Sequence, residues 1–277
     1  MSSKVIVLLD SGLGNQLFMI FTGMSKAIDE NKEFCIYPTG YNYPRGHYFS
    51  NLFKTLIPNV EKHELNTNNR FGYNELNFHY DPIPRDAEII KGYFQSPKYF
   101  NHNKDKIIKK LELEKLQDKY QFNFNAVSLH FRFNDFIWQQ RTYILLKPSY
   151  YINAINKLAE LIPNLFKDYK FIVFCQKEDN ELVEDYINEI SNHFNNQIKF
   201  IKSYEINPNI TDYQELLFMS SCQHFINANS SFSWFGSYLS RNTNKKVIYP
   251  NEWFGSNLKS NSLKDIALDE WIKVNIH

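Results

Sequence analysis

Cysteine is scarce. The 277-residue chain has three, Cys35, Cys175 and Cys222, far apart and without the spacing of a metal site. A disulfide framework is excluded as the organising principle, and a reducing, cytoplasmic setting is expected. Charge of one sign is not in excess either. Thirty-one basic and 30 acidic residues leave a formal net charge of +1, whereas a protein that binds nucleic acid by counterion release carries a basic surplus. No nucleic-acid partner is expected. Long apolar runs are also missing. The N-terminal run at 5–9 has five residues, too few for a signal peptide or for the roughly 18 of a membrane span. The expectation is a soluble chain, with peripheral contact to a membrane left open and the oligomeric state unread.

What is present is alternation. Hydrophobic residues make up 43% of the chain, enough for substantial cores. Short β-rich apolar runs at 5–9, 87–91, 127–131, 171–174, 225–227 and 247–249 read as strands, and helical patterns at 17–29, 106–119, 148–161, 180–192 and 213–219 fall between them. Pro148 suits a first helical turn, where its missing N–H costs little. The alternation predicts parallel sheets with covering helices. The charged stretch 106–119 gives way to a fresh apolar run at Ala126, which places a boundary near 120–125. The chain then divides into an N-terminal Rossmann-like domain over 1–122 and a C-terminal one over 123–277. In such sheets ligands bind beyond the carboxyl ends of the strands, and three motifs fall at such ends.

The first, D-S-G-L-G-N-Q-L-F at 10–18, follows the first strand. Gly12 and Gly14 suit a tight turn and a close ligand approach, and Asn15 suits a helix cap or a place facing the ligand. A plain βα turn is the alternative. The second, S-L-H-F-R-F-N-D-F at 128–136, runs from a strand into His130, Arg132 and Asp135. In extended backbone His130 and Arg132 share a face, which sets a candidate base beside a permanent cation. Arginine's planar fork suits a diphosphate, while a structural Arg132–Asp135 pair is the alternative. The third, at 224–239, passes from Phe225 and Ile226 to Asn229, Ser230, Ser231 and Ser233 at the start of a helix. Free N–H groups, the helix dipole and hydroxyls together make an anion site. Ordinary capping by a serine is the alternative.

Together these motifs resemble the α-1,2-fucosyltransferase family. Its members carry G-G-L-G-N-Q-L-F, where this chain has S-G-L-G-N-Q-L-F at 11–18. They carry H-x-R-R-G-D-Y, matched by H-F-R-F-N-D-F at 130–136, and A-N-S-S-F-S-W-W-G-A-W-L, matched by A-N-S-S-F-S-W-F-G-S-Y-L at 228–239. Gly92 to Ser96 also resembles a family segment. The resemblance implies paired Rossmann-like domains facing a cleft, the GT-B architecture. It implies GDP-fucose as donor, a galactose-type hydroxyl of a glycan as acceptor, and inversion at the anomeric carbon. By the same resemblance Arg132 binds the donor phosphate, Ser230 and Ser231 contribute to that site, and Glu215 holds guanine. Three positions depart from the family pattern. Phe133 replaces a second arginine, Glu215 replaces an aspartate, and Cys175-Gln176-Lys177 stands where Ser-Asp-Asp is common. A different GDP-sugar is therefore the alternative donor, and an inactive nucleotide- or glycan-binding relative the alternative to an enzyme.

Glycosyl transfer builds negative charge on the departing diphosphate, and many transferases meet it with a metal held by Asp-x-Asp. This sequence contains no Asp-x-Asp, so no metal cofactor is expected, and Arg132 with the helix opened by Ser230–Ser233 takes that role. His130 is the expected base, on position and an ordinary histidine pKa, with Asp135 as runner-up. The acceptor is assigned to the first domain, where Tyr37, Tyr41, Tyr43, His47 and Tyr48 crowd one stretch. A nucleotide-dependent oxidoreductase is a competing reading of the Gly-Leu-Gly turn, weakened by Leu17 in place of the third glycine.

Overall fold

The computed structural model describes residues 4–39, 47–65, 70–258 and 264–277. The chain forms two compact units, Met1–Asp118 with Asn261–Leu268, and Lys119–Ser260 with Asp269–His277. Among the described residues no helix is long and apolar enough to cross a membrane.

The first unit is built on strands β1 (Lys4–Leu9), β2 (Glu33–Pro38), β3 (Gly72–Asn74) and β4 (Ile89–Lys91). They form one parallel sheet in the order β2-β1-β4-β3. Val5, Ile6, Val7 and Leu9 of β1 are fully buried, because helices cover a parallel sheet and leave few strand positions to water. Helix α1 (Leu13–Glu30) lies on this sheet. Its Phe18 and Phe21 meet Phe100 edge-on at 5.8 and 5.5 Å between centroids. The expected helix at 106–119 is two pieces, α2 (Lys104–Lys110) and α3 (Leu113–Gln117), because Glu112 turns left-handed at φ 53°. The returning segment is tied in through Asp265, which accepts from the Tyr80 N–H at 3.1 Å and pairs with Lys98.

The second unit has strands β5 (Ala126–His130), β6 (Lys170–Phe174), β7 (Phe200–Lys202), β8 (His224–Ile226), β9 (Val247–Pro250) and β10 (Ile272–Val274). All pair in parallel, in the order β10-β9-β8-β5-β6-β7. The chain builds outward from β5 to β7, then returns to the other side of β5 and builds outward again. That is the doubly wound order, with its switch point between β5 and β8. The helices are α4 (Asp135–Trp138), α5 (Pro148–Leu161), α6 (Leu165–Asp168), α7 (Asn180–His193), α8 (Ser203–Ile206), α9 (Asp212–Met219) and α10 (Ser231–Tyr238). Pro148 does open α5. Tyr150 and Tyr151 of α5 are fully buried and reach the ends of the two central strands. Their hydroxyls donate to the Asn227 carbonyl at 2.5 Å and the His130 carbonyl at 3.2 Å.

All six expected strands form. Helix α1 starts a turn earlier than expected, so Gly14, Asn15 and Gln16 lie inside it rather than in a turn. Gly23 lies where α1 packs most closely on the sheet: a Cβ there would meet Val7 Cγ2 at 2.1 Å and Phe34 Cε2 at 2.8 Å. At an exposed helical site, Gly→Ala gains up to about 1 kcal/mol. Here Gly23→Ala should instead destabilise by roughly 1–3 kcal/mol through overpacking, read as a lower urea midpoint.

Candidate active site

The switch point of the second unit gathers the second and third motifs. Strand β5 ends at His130, and the chain continues alongside β6, with the Phe131 N–H donating to the Phe174 carbonyl at 2.9 Å. Beyond the strand, side chains still alternate. Phe131 and Phe133 are each 1% exposed and enter an aromatic cluster, with Phe133 edge-on to Tyr186 at 4.9 Å. Position 133 thus belongs to the core in this chain. Arg132 faces the other way. Its Nη1 donates to Gln176 Oε1 at 2.8 Å, its Nη2 pairs with Asp135, and its guanidinium carbon lies 4.9 Å from the centre of the Phe136 ring. Asp135 opens α4, where the helix dipole favours a carboxylate.

Sequence reading missed what supports this arginine. Gln176 Oε1 also accepts from Asn134 Nδ2 at 2.9 Å, and the buried Asp179 accepts from the Asn134 N–H at 3.1 Å. Asn134 has φ 37° and ψ −115°, a conformation L-residues rarely adopt, and these two bonds hold it there. In the sequence the turn after β6 stands out only as a departure from the family string. No periodicity reveals that its amide oxygen meets a guanidinium 44 residues earlier.

The third motif begins at the end of β8, beside β5. Ser230 is the N-cap of α10, its Oγ accepting from the Phe232 N–H at 3.3 Å. The Ser231 hydroxyl is half-buried and bonds to no described residue. Two expected ligand contacts have structural work instead. Ser233 is fully buried, and its hydroxyl donates to the Ser230 carbonyl at 3.2 Å. Asn229 Nδ2 donates to the carbonyls of Ile144 and Trp253 at 2.8 and 2.9 Å, clamping the loop. With the Phe232 N–H capped by Ser230, α10 has the Ser231 hydroxyl and the remaining first-turn N–H groups unused.

His130 stacks on Phe232 with 5.8 Å between centroids, and its Nδ1 has no hydrogen-bond partner. Burial, and then the nearby Arg132 charge, push its pKa down from 6.5 to about 3. The expectation of a base with an ordinary histidine pKa is overturned: at neutral pH this is a neutral ring with little affinity for a proton. Glu215, on α9, is shifted the other way. Burial raises its carboxyl to about 7, offset by a hydrogen bond from Ser203 and the charge of Lys177.

In the first unit, the ends of β1 and β4 adjoin and their loops are cross-linked. Gln95 Nε2 donates to Asn15 Oδ1 at 2.9 Å, so Asn15 is a first-turn residue of α1 and not its cap, which is Gly12. The Ser11 hydroxyl lies 2.6 Å from Asp10 Oδ1 and 3.2 Å from the Tyr93 hydroxyl. Gly12 has φ −75° and open space where a Cβ would point, so any residue fits; the left-handed residue of this turn is Ser11, at φ 69°. Glycine is required instead at Gly92, where φ is +152° and a Cβ would lie 2.3 Å from that of Glu75. Glu75 accepts from the N–H groups of Tyr93 and Phe94 at 2.7 and 2.8 Å, and burial raises its carboxyl to about 7. Of the tyrosine-rich stretch, Tyr41 and Tyr43 lie outside the described residues. Tyr48 is buried edge-on to Phe53, and His47 stacks on Phe49.

Two parallel α/β sheets, the second doubly wound, are the architecture of a glycosyltransferase of the GT-B type. A solved structure of Arabidopsis thaliana FUT1 in complex with GDP has this fold, at a TM-score of 0.52 over 91% of this chain and 71% of that one, with 11% identity. Residues 65–275 match the profile of Glycosyl transferase family 11, and the chain belongs to that family. An Escherichia coli protein named Alpha-1,2-colitosyltransferase is 26% identical over 98% of this chain and 99% of its own length. The Escherichia coli O-antigen biosynthesis glycosyltransferase WbnK is 30% identical over 55% of this chain and 45% of its own. The family read from the three motifs is therefore the right one, and the oxidoreductase reading falls.

The histidine has a consequence for stability. The unfolded chain protonates His130 near 6.5 and the folded chain only near 3. Its contribution is therefore complete above about pH 6.5 and is lost as pH falls toward 3. Thermal midpoints of His130→Asn between pH 6.5 and 4 should fall less steeply than those of the wild type.

Proposed function

We propose that this glycosyltransferase moves a fucose-type sugar from its GDP conjugate to a galactose-type hydroxyl of a glycan, forming an α-1,2 linkage with inversion. The observation that carries the reading is that the turn bearing Arg132 and the N-terminus of α10 follow the carboxyl ends of the neighbouring strands β5 and β8, with His130 stacked on Phe232 between them. As the sugar–phosphate bond breaks, negative charge grows on the leaving nucleotide. A fixed guanidinium and a helix start with a free serine hydroxyl stabilise that charge without reorganising. The sequence has no Asp-x-Asp to hold a metal in their place. Glu215 is the proposed guanine contact, since an ionised carboxylate accepts from both N1–H and the 2-amino group. Ser230 and Ser231 are retained as phosphate-side residues, with Asn229 and Ser233 shaping their loop.

The acceptor hydroxyl loses its proton late when the sugar is already oxocarbenium-like, so a weak base suffices. Asp135 is the better candidate because burial and the Arg132 charge leave His130 with little affinity for a proton, and His130 packs against the helix start as an uncharged wall. The first unit is proposed to hold the acceptor, through Asp10, Ser11, Tyr93 and the Asn15–Gln95 pair. Gly12, the cap of α1, belongs to that loop, and Gly14 lies in the first turn of the helix it opens. Three buried free thiols suit a reducing cytoplasm. For the donor sugar, one observation favours a second reading beside fucose: the relative aligned over 98% of the chain is named for colitose.

A thermal-shift panel of GDP, UDP, GDP-fucose and GDP-colitose tests the donor, since a ligand of the native state raises its midpoint. Guanine compounds should shift the protein and UDP should not. Transfer should continue in EDTA. Arg132→Ala should keep its fold and lose at least about 10²-fold in turnover, the scale of one lost oxyanion contact; near-normal turnover sinks the assignment. Guanosine affinity should rise as pH increases through about 7, where Glu215 ionises, and Glu215→Gln should remove that dependence.

A further inference from the structure

Arg132 is largely offset by its partner Asp135, and the second cation of the family string is here the core residue Phe133. A site that takes a nucleoside diphosphate needs more positive charge than that. Lys177, the last residue of the Cys175-Gln176-Lys177 turn at the carboxyl end of β6, is exposed. Its ammonium donates to the Pro208 carbonyl at 2.7 Å and lies 5.8 Å from the centre of the Tyr204 ring. Among the described residues it forms no salt bridge, although its charge is felt at the Glu215 carboxylate, and two of its three N–H donors are left over.

Its neighbours give its place. On one side the adjoining Gln176 holds Arg132. On the other, Tyr204 follows Ser203, whose hydroxyl holds the Glu215 carboxylate. Lys177 therefore stands between the proposed guanine contact and the proposed diphosphate contact, on the ligand-binding edge of the sheet. Resting on that reading of the site, we propose that Lys177 is a second cationic contact for the donor nucleotide, bonding a phosphate oxygen and supplying the charge that Phe133 does not. Gln176 fits the same scheme: an amide orients Arg132 without neutralising it, as a carboxylate there would.

Calorimetric titration of the purified chain with GDP and with guanosine separates this role from a structural one. At about pH 8.5, where Glu215 is ionised with or without the lysine's charge, Lys177→Met should weaken GDP about tenfold or more, the loss of one charged hydrogen bond, and leave guanosine unchanged. It should also flatten the salt dependence of GDP binding, and Lys177→Arg should restore most of the affinity. Equal weakening of GDP and guanosine, or no change in GDP affinity, overturns the proposal. A wild-type protein that binds GDP no better than UDP refutes the guanine reading and this inference with it. A wild-type preference for GDP that Lys177→Met leaves intact refutes the lysine alone.

Discussion

The bond between Arg132 and Gln176 is the constraint on which the geometry of the second unit's switch point depends. Arginine has many rotamers, and fixing one costs entropy. Here the register between β5 and β6 meets that cost. His130 stands opposite Phe174, so the two chains leave the sheet together and their next turns meet. The guanidinium is then oriented by a neutral oxygen on one side and a carboxylate on the other. A single pairing slip in this sheet would turn Arg132 into the core and Phe133 out of it.

That alternation also explains why the motif string misleads at one position. A family arginine reads as a cation wherever it stands in a string, but its exchange for Phe133 does not simply delete a charge. The ring packs against Phe131 and Tyr186 and helps fix the turn that carries Arg132. The first unit shows the same separation of string from physics. Its motif advertises Gly12 and Gly14, yet the backbone strain lies at Ser11, and the glycine without a substitute is Gly92. Glu75 fills the space that Gly92 leaves and holds the next two N–H groups.

Much of the fold could be read in advance, for a definite reason. The six strands visible as apolar runs include every interior strand of both sheets. The four that were missed, β2, β3, β7 and β10, are the four edges. An interior parallel strand is covered on both faces and needs a continuous apolar run. An edge strand has one neighbour and tolerates polar positions, as the half-exposed pattern of β3 and β10 shows. The site divides along a similar line. Arg132, Asp135 and Ser230 are near in sequence to their partners and were legible. Gln176, Asp179 and Glu75 act across long separations, and His130's depressed basicity depends on burial, which no local pattern encodes.

Neither unit is a single stretch of chain. The first is completed by Asn261–Leu268, which brings Asp265 to Tyr80 and Lys98, and the second takes its edge strand β10 from the residues after that. A fragment cut at residue 118 leaves one unit without its late patch and strands that patch on the other. Exchange of either unit between family members, in the laboratory or by recombination, must therefore move two segments at once. Crossovers at the obvious midpoint should yield poorly folded chimaeras even where both parents are sound.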